Sequence, residues 1–146
     1  MQFEVFNEEF VRGIVGRKSR KGIDGYLGIE VTELTAGRLV AQFDARAELI
    51  TAMGNMHGGC LSALIDHCLG VIMYPVMPPG YWAATTEFKV NLLNPVGGGM
   101  CIATAEIRSM SRRLAVVGIS VENGDRLVAL AQGTCTIVAP KGPQAA

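Results

Sequence analysis

The sequence predicts an α+β domain in which a mostly antiparallel sheet is built around one long central helix. Three observations predict it. Apolar residues alternate with period two in two short stretches before residue 45 and in four longer ones after residue 81. Between them, one segment from Gly58 to about Tyr74 repeats its apolar residues at helical spacing. The connections between strands are of hairpin length, which makes neighbouring strands antiparallel.

Each element has its own local reason. Asn7 followed by Glu8 and Glu9 is a helix start, with Phe10, Val11, Ile14 and Val15 forming a short apolar face up to Gly16. The basic stretch RKSRKG at 17–22 reads as a hydrated linker. Period two then sets in: Leu27, Ile29 and Val31 alternate with Gly28, Glu30 and Thr32, and Leu39, Ala41 and Phe43 with Val40, Gln42 and Asp44. TAG at 35–37 is the turn between these strands. The central helix is stopped by Pro75 and by PPG at 78–80, because proline lacks the amide donor and clashes with the preceding turn. Four strands follow, at 82–92 (WxAxTxFxVxL on one face), 100–109, 114–121 and 126–138, divided by SRR and NGD. The whole chain, 1–146, reads as one domain. Residues 1–22 form its N-terminal helix and basic linker, and 140–146 a loose tail.

Composition narrows the function. Of 146 residues 49% are apolar and 18% charged, with a mean hydropathy of +0.31, so the chain can bury a large core and further surface against copies of itself. Thirteen basic and thirteen acidic residues cancel, which removes a global electrostatic case for nucleic acid or an anionic membrane. The N-terminus carries Glu4, Glu8 and Glu9 and no continuous apolar core, and no run reaches the ~18 apolar residues of a membrane span. Cys60, Cys68, Cys101 and Cys135 lie in apolar surroundings without a CxxC pair, which favours a reducing cytoplasm.

Around the central helix, Leu61, Leu64, Ile65, Cys68 and Ile72 form one apolar stripe. The opposite face collects Gly59, Ser62, Ala63 and Gly70 around a single carboxylate, Asp66. A charge carried by a buried helix needs a partner or a chemical use. Gly70, costing about 1 kcal/mol against alanine in mid-helix, points to close approach by a substrate or another subunit. Both readings of this face stay open on helix pattern alone. Upstream, His57, Gly58 and Gly59 stand at the helix start, where free N–H groups and the helix dipole can polarise a carbonyl oxygen. An electrophile and a base or nucleophile are what acyl transfer needs.

The stretch GNMHGGCLSALIDHCLG at 54–70, with strands before it and a long antiparallel segment after it, resembles the hotdog-fold acyl-CoA thioesterases of the phenylacetic-acid-pathway (PaaI-like) group. The resemblance runs by element order from about 25 to 138. It implies hydrolysis of an acyl-coenzyme A thioester, with no metal and no cofactor beyond the coenzyme A of the substrate. It further implies a homodimer with active sites at the interface, commonly paired into a homotetramer. Carried over residue by residue, it implies that Asp66 is the base or nucleophile, that the Gly58 N–H binds the thioester oxygen, that His57 shapes the turn, and that Thr85 lies near the attacking water. The chain departs from the pattern where many relatives have Asn six residues before the histidine: here that residue is Thr51, with Asn55 closer to the motif. Gly59 and Ser62 belong to the face that meets substrate, and Arg108, Arg112 and Arg113 around MSRRL are candidates for the phosphates of coenzyme A.

Met53, Met56, Met73 and Met77 read either as a pliable acyl tunnel or as core. Two other classes compete with hydrolysis. Hydratases of the same fold carry a DxNPxH loop that this sequence lacks. An acyl-CoA-binding protein without turnover is the other, made credible by Thr51. A metal site from His57, Cys60 and His67 is disfavoured because these spacings do not converge on one helix face.

Overall fold

The computed structural model describes residues 2–18 and 21–140. The expected tail at 140–146 therefore lies outside the described residues except for Pro140, as do Ser19 and Arg20 of the basic stretch. The order is α1 (Glu8–Ile14), α2 (Gly22–Leu27), β1 (Glu30–Thr35), β2 (Arg38–Asp44), α3 (Gly58–Val71), β3 (Trp82–Leu92), β4 (Met100–Met110), β5 (Leu114–Asn123) and β6 (Arg126–Val138), with single 3-10 turns at Ala47–Leu49 and Tyr74–Val76. All six strands form one antiparallel sheet in the order β1-β2-β4-β5-β6-β3. The sheet wraps α3, which packs against every strand from β2 to β6, and this is the hotdog arrangement.

The wrapping has a cause in side-chain size. The inner face carries Ala41, Ala103, Ala105, Ala115 and Ala129, all fully buried, and small residues let a helix sit close to a sheet. Gly133 goes further, since a Cβ there would stand 2.8 Å from both Leu69 Cδ1 and Phe88 Cβ. Bulges at 31–33, 85–87, 107–109 and 121–122 bend the strands around the helix. From α3 the expected stripe, Leu61, Leu64, Ile65, Cys68 and Ile72, fills the interior together with Leu69.

Asn7 caps α1 as expected, its Oδ1 accepting from the Phe10 N–H at 3.0 Å. Three expectations are corrected. The period-two reading from Leu27 starts too early, because residues 22–27 form α2 and Gly28, in the left-handed region at φ 73°, ends that helix before β1. Two glycines and no side-chain N-cap make so short a helix marginal alone; Arg46 holds it, donating to the carbonyls of Tyr26 and Leu27. Second, β3 does not keep one face. The bulge at 85–87 inserts a residue, so Ala83 and Thr85 share the inner face with Phe88 and Val90, and Trp82 is exposed. Third, one segment, Gly58–Val76, is long and apolar enough by composition to cross a membrane. It comprises the helix that the sheet wraps and the turn after it.

All four cysteines are free thiols. Burial pushes Cys68 up to about 12 from an ordinary 9.0, and Cys101 and Cys135 to about 11. A thiol whose folded value is raised stays protonated while the unfolded chain ionises, so the unfolded state binds fewer protons above pH 9. Stability is expected to be intact below pH 9 and to fall between pH 9 and 12. Thermal melts across that window check this, and Cys68→Ala should flatten the fall.

Candidate active site

The site begins at the N-terminus of α3. His57 is the N-cap, and its Nδ1 accepts from the Gly59 N–H at 2.9 Å. The Cys60 N–H donates to the His57 carbonyl at 3.0 Å. Among the described residues nothing accepts from the N–H of Gly58, so one donor at the positive end of the helix is left for a ligand. Glycine at 58 and 59 has a packing reason as well: a Cβ would lie 2.4 Å from Leu92 Cδ1 at Gly58 and 2.8 Å from His57 Nδ1 at Gly59. His57 thus shapes the turn by capping it.

Gly58 opens on a 220 Å³ cavity that also contains Asn55, Met56, Leu61 and Leu92. Of the two side chains beside the motif, Asn55 shares this cavity and Thr51 does not. The Thr51 hydroxyl donates to the Asn55 carbonyl at 2.8 Å and accepts from the Met53 N–H at 3.3 Å, closing the loop before the helix. Ser62 is turned inward along the helix, its Oγ donating to the Gly58 carbonyl at 3.2 Å.

Asp66 is two turns further on and is not buried within the chain, which corrects the premise of a charge carried into the core. Its side chain is exposed and, among the described residues, makes neither a hydrogen bond nor an ion pair. It lines a second cavity, of 610 Å³, between α3 and the N-terminal segment. Gly70 lines the same cavity, and a Cβ there would meet nothing within 4 Å, so no part of the chain itself explains it. His67 faces Asp24 of α2 at 3.4 Å. With the His57 ring engaged at the helix start, the two imidazoles serve separate contacts.

Thr85 is half-buried on the inner face of edge strand β3, paired with Cys135, whose thiol donates to the Leu69 carbonyl at 3.3 Å. It lines neither cavity. Arg112 and Arg113 line a third cavity of 720 Å³ with Phe3, Tyr81 and Ile137. Arg108 stands apart from them, with its guanidinium 2.8 Å from Glu106. Met56, Met73 and Met77 are core residues and Met53 is 87% exposed, so the four methionines form no tunnel. Sequence reasoning missed Arg17 and Lys18, read as linker, which line the Asp66 cavity. Their only local signal was the positive charge.

The family model of the thioesterase superfamily matches residues 53–130, which include both Gly58 and Asp66. A 1,4-dihydroxy-2-naphthoyl-CoA hydrolase of Listeria monocytogenes is 24% identical, over 82% of this chain and 97% of that protein. Among solved structures, a variant of the phenylacetic acid degradation protein PaaI from Thermus thermophilus is 30% identical, covers 76% of this chain and 94% of its own, and superposes with a TM-score of 0.69. A thioesterase family protein from Silicibacter pomeroyi is 27% identical with a TM-score of 0.77, over 82% and 91% of the two chains.

Proposed function

This chain belongs to the thioesterase superfamily and is a thioester hydrolase, and from that premise we propose that it cleaves an acyl-coenzyme A with Asp66 of one subunit working opposite the Gly58 N–H of another. The observation that carries this reading is the separation of the two groups. Eight residues of helix put them about 12 Å apart, and they line different cavities. A single chain therefore cannot bring both to one carbonyl carbon, whereas two copies related by a twofold axis can exchange them.

In this mechanism the Asp66 carboxylate takes a proton from water as the water oxygen attacks the thioester carbon. The negative charge that develops on the carbonyl oxygen is met by the Gly58 N–H at the positive end of α3. Collapse breaks the carbon–sulfur bond, the proton passes to the leaving thiolate, and free acid and coenzyme A depart. No cofactor is needed. Asn55, in the Gly58 cavity, is the side chain suited to assist at the carbonyl, Thr51 being occupied by its own loop. Thr85, on the exposed edge strand, is suited to reach the water of a neighbouring subunit's site, and Arg112 and Arg113 to pair with coenzyme A phosphates. Free thiols and an acyl-CoA substrate suit the cytoplasm, and a pair of such dimers is the assembly that the resemblance implies.

Gly58→Pro tests the donor. Proline is well tolerated at the first position of a helix, and His57 before it already has the extended conformation that proline requires, at φ −63° and ψ 133°. Gly58→Ala is the control, adding a Cβ against the mobile end of the exposed Leu92 while keeping the N–H. The proline variant should lose about 10²–10³-fold in kcat and the alanine variant far less. Co-expressed with an Asp66→Asn chain, the Gly58→Pro chain should recover about a quarter of wild-type activity, because half the dimers are mixed and each holds one intact site. No recovery would refute the exchange between subunits.

A further inference from the structure

We propose that α1 and α2, with Arg17 and Lys18, form the acyl-selecting wall of the Asp66 cavity, and that these two cations tune it to acyl groups bearing a carboxylate of their own. The inference rests on the reading of Asp66 above. The cavity, at 610 Å³, falls in the range of about 300–1,000 Å³ usual for small ligands. One side is α3, with Ala63, Asp66 and Gly70, all inside the stretch that matches the superfamily. The opposite side is formed by Phe10, Ile14 and Ile23 with Arg17 and Lys18, all outside it. The acid belongs to the shared machinery, while what faces it belongs to a segment beyond the family match.

That wall is held in place at several points. The Asn7 N–H donates to the Pro75 carbonyl at 2.8 Å and the Gly16 N–H to the Val31 carbonyl at 2.8 Å. The Phe10 ring stacks on Tyr74 with centroids 5.2 Å apart. Lys18 bridges to Glu30 by backbone pairing, and the Asp24–His67 contact fastens α2 to α3. A wall anchored in this way can select by shape and charge without having to be ordered by the substrate.

Charge gives the inference its content. Six ionisable residues line the cavity: Arg17, Lys18, Asp24, Asp66, His67 and Tyr74. Asp24 lies 3.4 Å from His67. Among the described residues no carboxylate, Asp66 included, is within ion-pair distance of Arg17 or Lys18. Two cations thus stand beside an apolar surface suited to an acyl body, with no carboxylate of the described residues within ion-pair distance of either. A carboxylate on the acyl group supplies that partner and gains charge-assisted hydrogen bonds from these two exposed side chains.

Two matched pairs of substrates test this: glutaryl-CoA against valeryl-CoA, and 4-carboxybenzoyl-CoA against benzoyl-CoA. Within a pair the coenzyme A is common, so cations that served its phosphates, or Asp66 itself, would leave the ratio of kcat/KM values untouched. The wild type should favour the carboxylate-bearing member of at least one pair by about tenfold, and Arg17→Gln/Lys18→Gln should cut that ratio by about as much. A wild type without preference in either pair, or a preference that survives the double substitution, overturns the proposal alone. Turnover of none of the four overturns the reading of Asp66 and this proposal with it.

Discussion

Asp66→Asn is expected to reduce acyl-CoA hydrolysis by roughly 10²–10⁴-fold in kcat, the usual contribution of a positioned general base, while leaving the fold intact. The two halves of this expectation have separate causes. Asparagine keeps the shape of the side chain but cannot accept the proton of the attacking water. The fold is indifferent because Asp66 is exposed and, among the described residues, holds no hydrogen bond or ion pair; such substitutions usually change stability by no more than about 0.5 kcal/mol. Release of coenzyme A thiol followed at saturating substrate, with a thermal melt of the same sample, reads both. A variant retaining more than about a tenth of wild-type kcat would remove Asp66 as the base. A single turnover of wild-type enzyme in heavy-oxygen water separates its two possible roles: label found in the product acid and not in the Asp66 carboxylate is the result expected for attack by water.

Leu64→Ala is expected to be the most damaging of the conservative core changes, costing about 2–5 kcal/mol from a total that for a domain is about 5–15 kcal/mol. Leu64 is fully buried in the middle of α3, against an inner sheet face already lined with alanines. Because those neighbours are short and fixed to strands, little can move to fill the space, and a residual cavity adds to the lost burial. Urea unfolding at one protein concentration, so that any subunit association is held constant, should show the midpoint falling with the slope unchanged. A loss below about 1 kcal/mol would mean that the sheet collapses onto the helix more readily than its packing implies.

Much of this molecule was legible in residue order alone. Asn7 caps α1, the apolar stripe of α3 is the buried one, and five of the six strands lie where alternation put them, β1 alone starting later, because caps, helical spacing and strand periodicity are local properties of neighbouring residues. The motif around His57 and Asp66 was legible for the same reason, since the helix start and the carboxylate sit on one short continuous segment. Tertiary structure decided the rest. Helix α2 exists because Arg46, about 20 residues later, takes its terminal carbonyls. A single bulged residue in β3 reversed which side chains face α3, a change of parity that composition does not encode. Thr51 spends its hydroxyl on its own loop, and Arg17 and Lys18 reach the cavity of Asp66 because Phe10 of α1 stacks on Tyr74 and Gly16 is tied to Val31. Periodicity records which way each side chain faces within its own element; which elements then meet is set by how their buried faces pack, and the surroundings of Asp66 are a product of that packing.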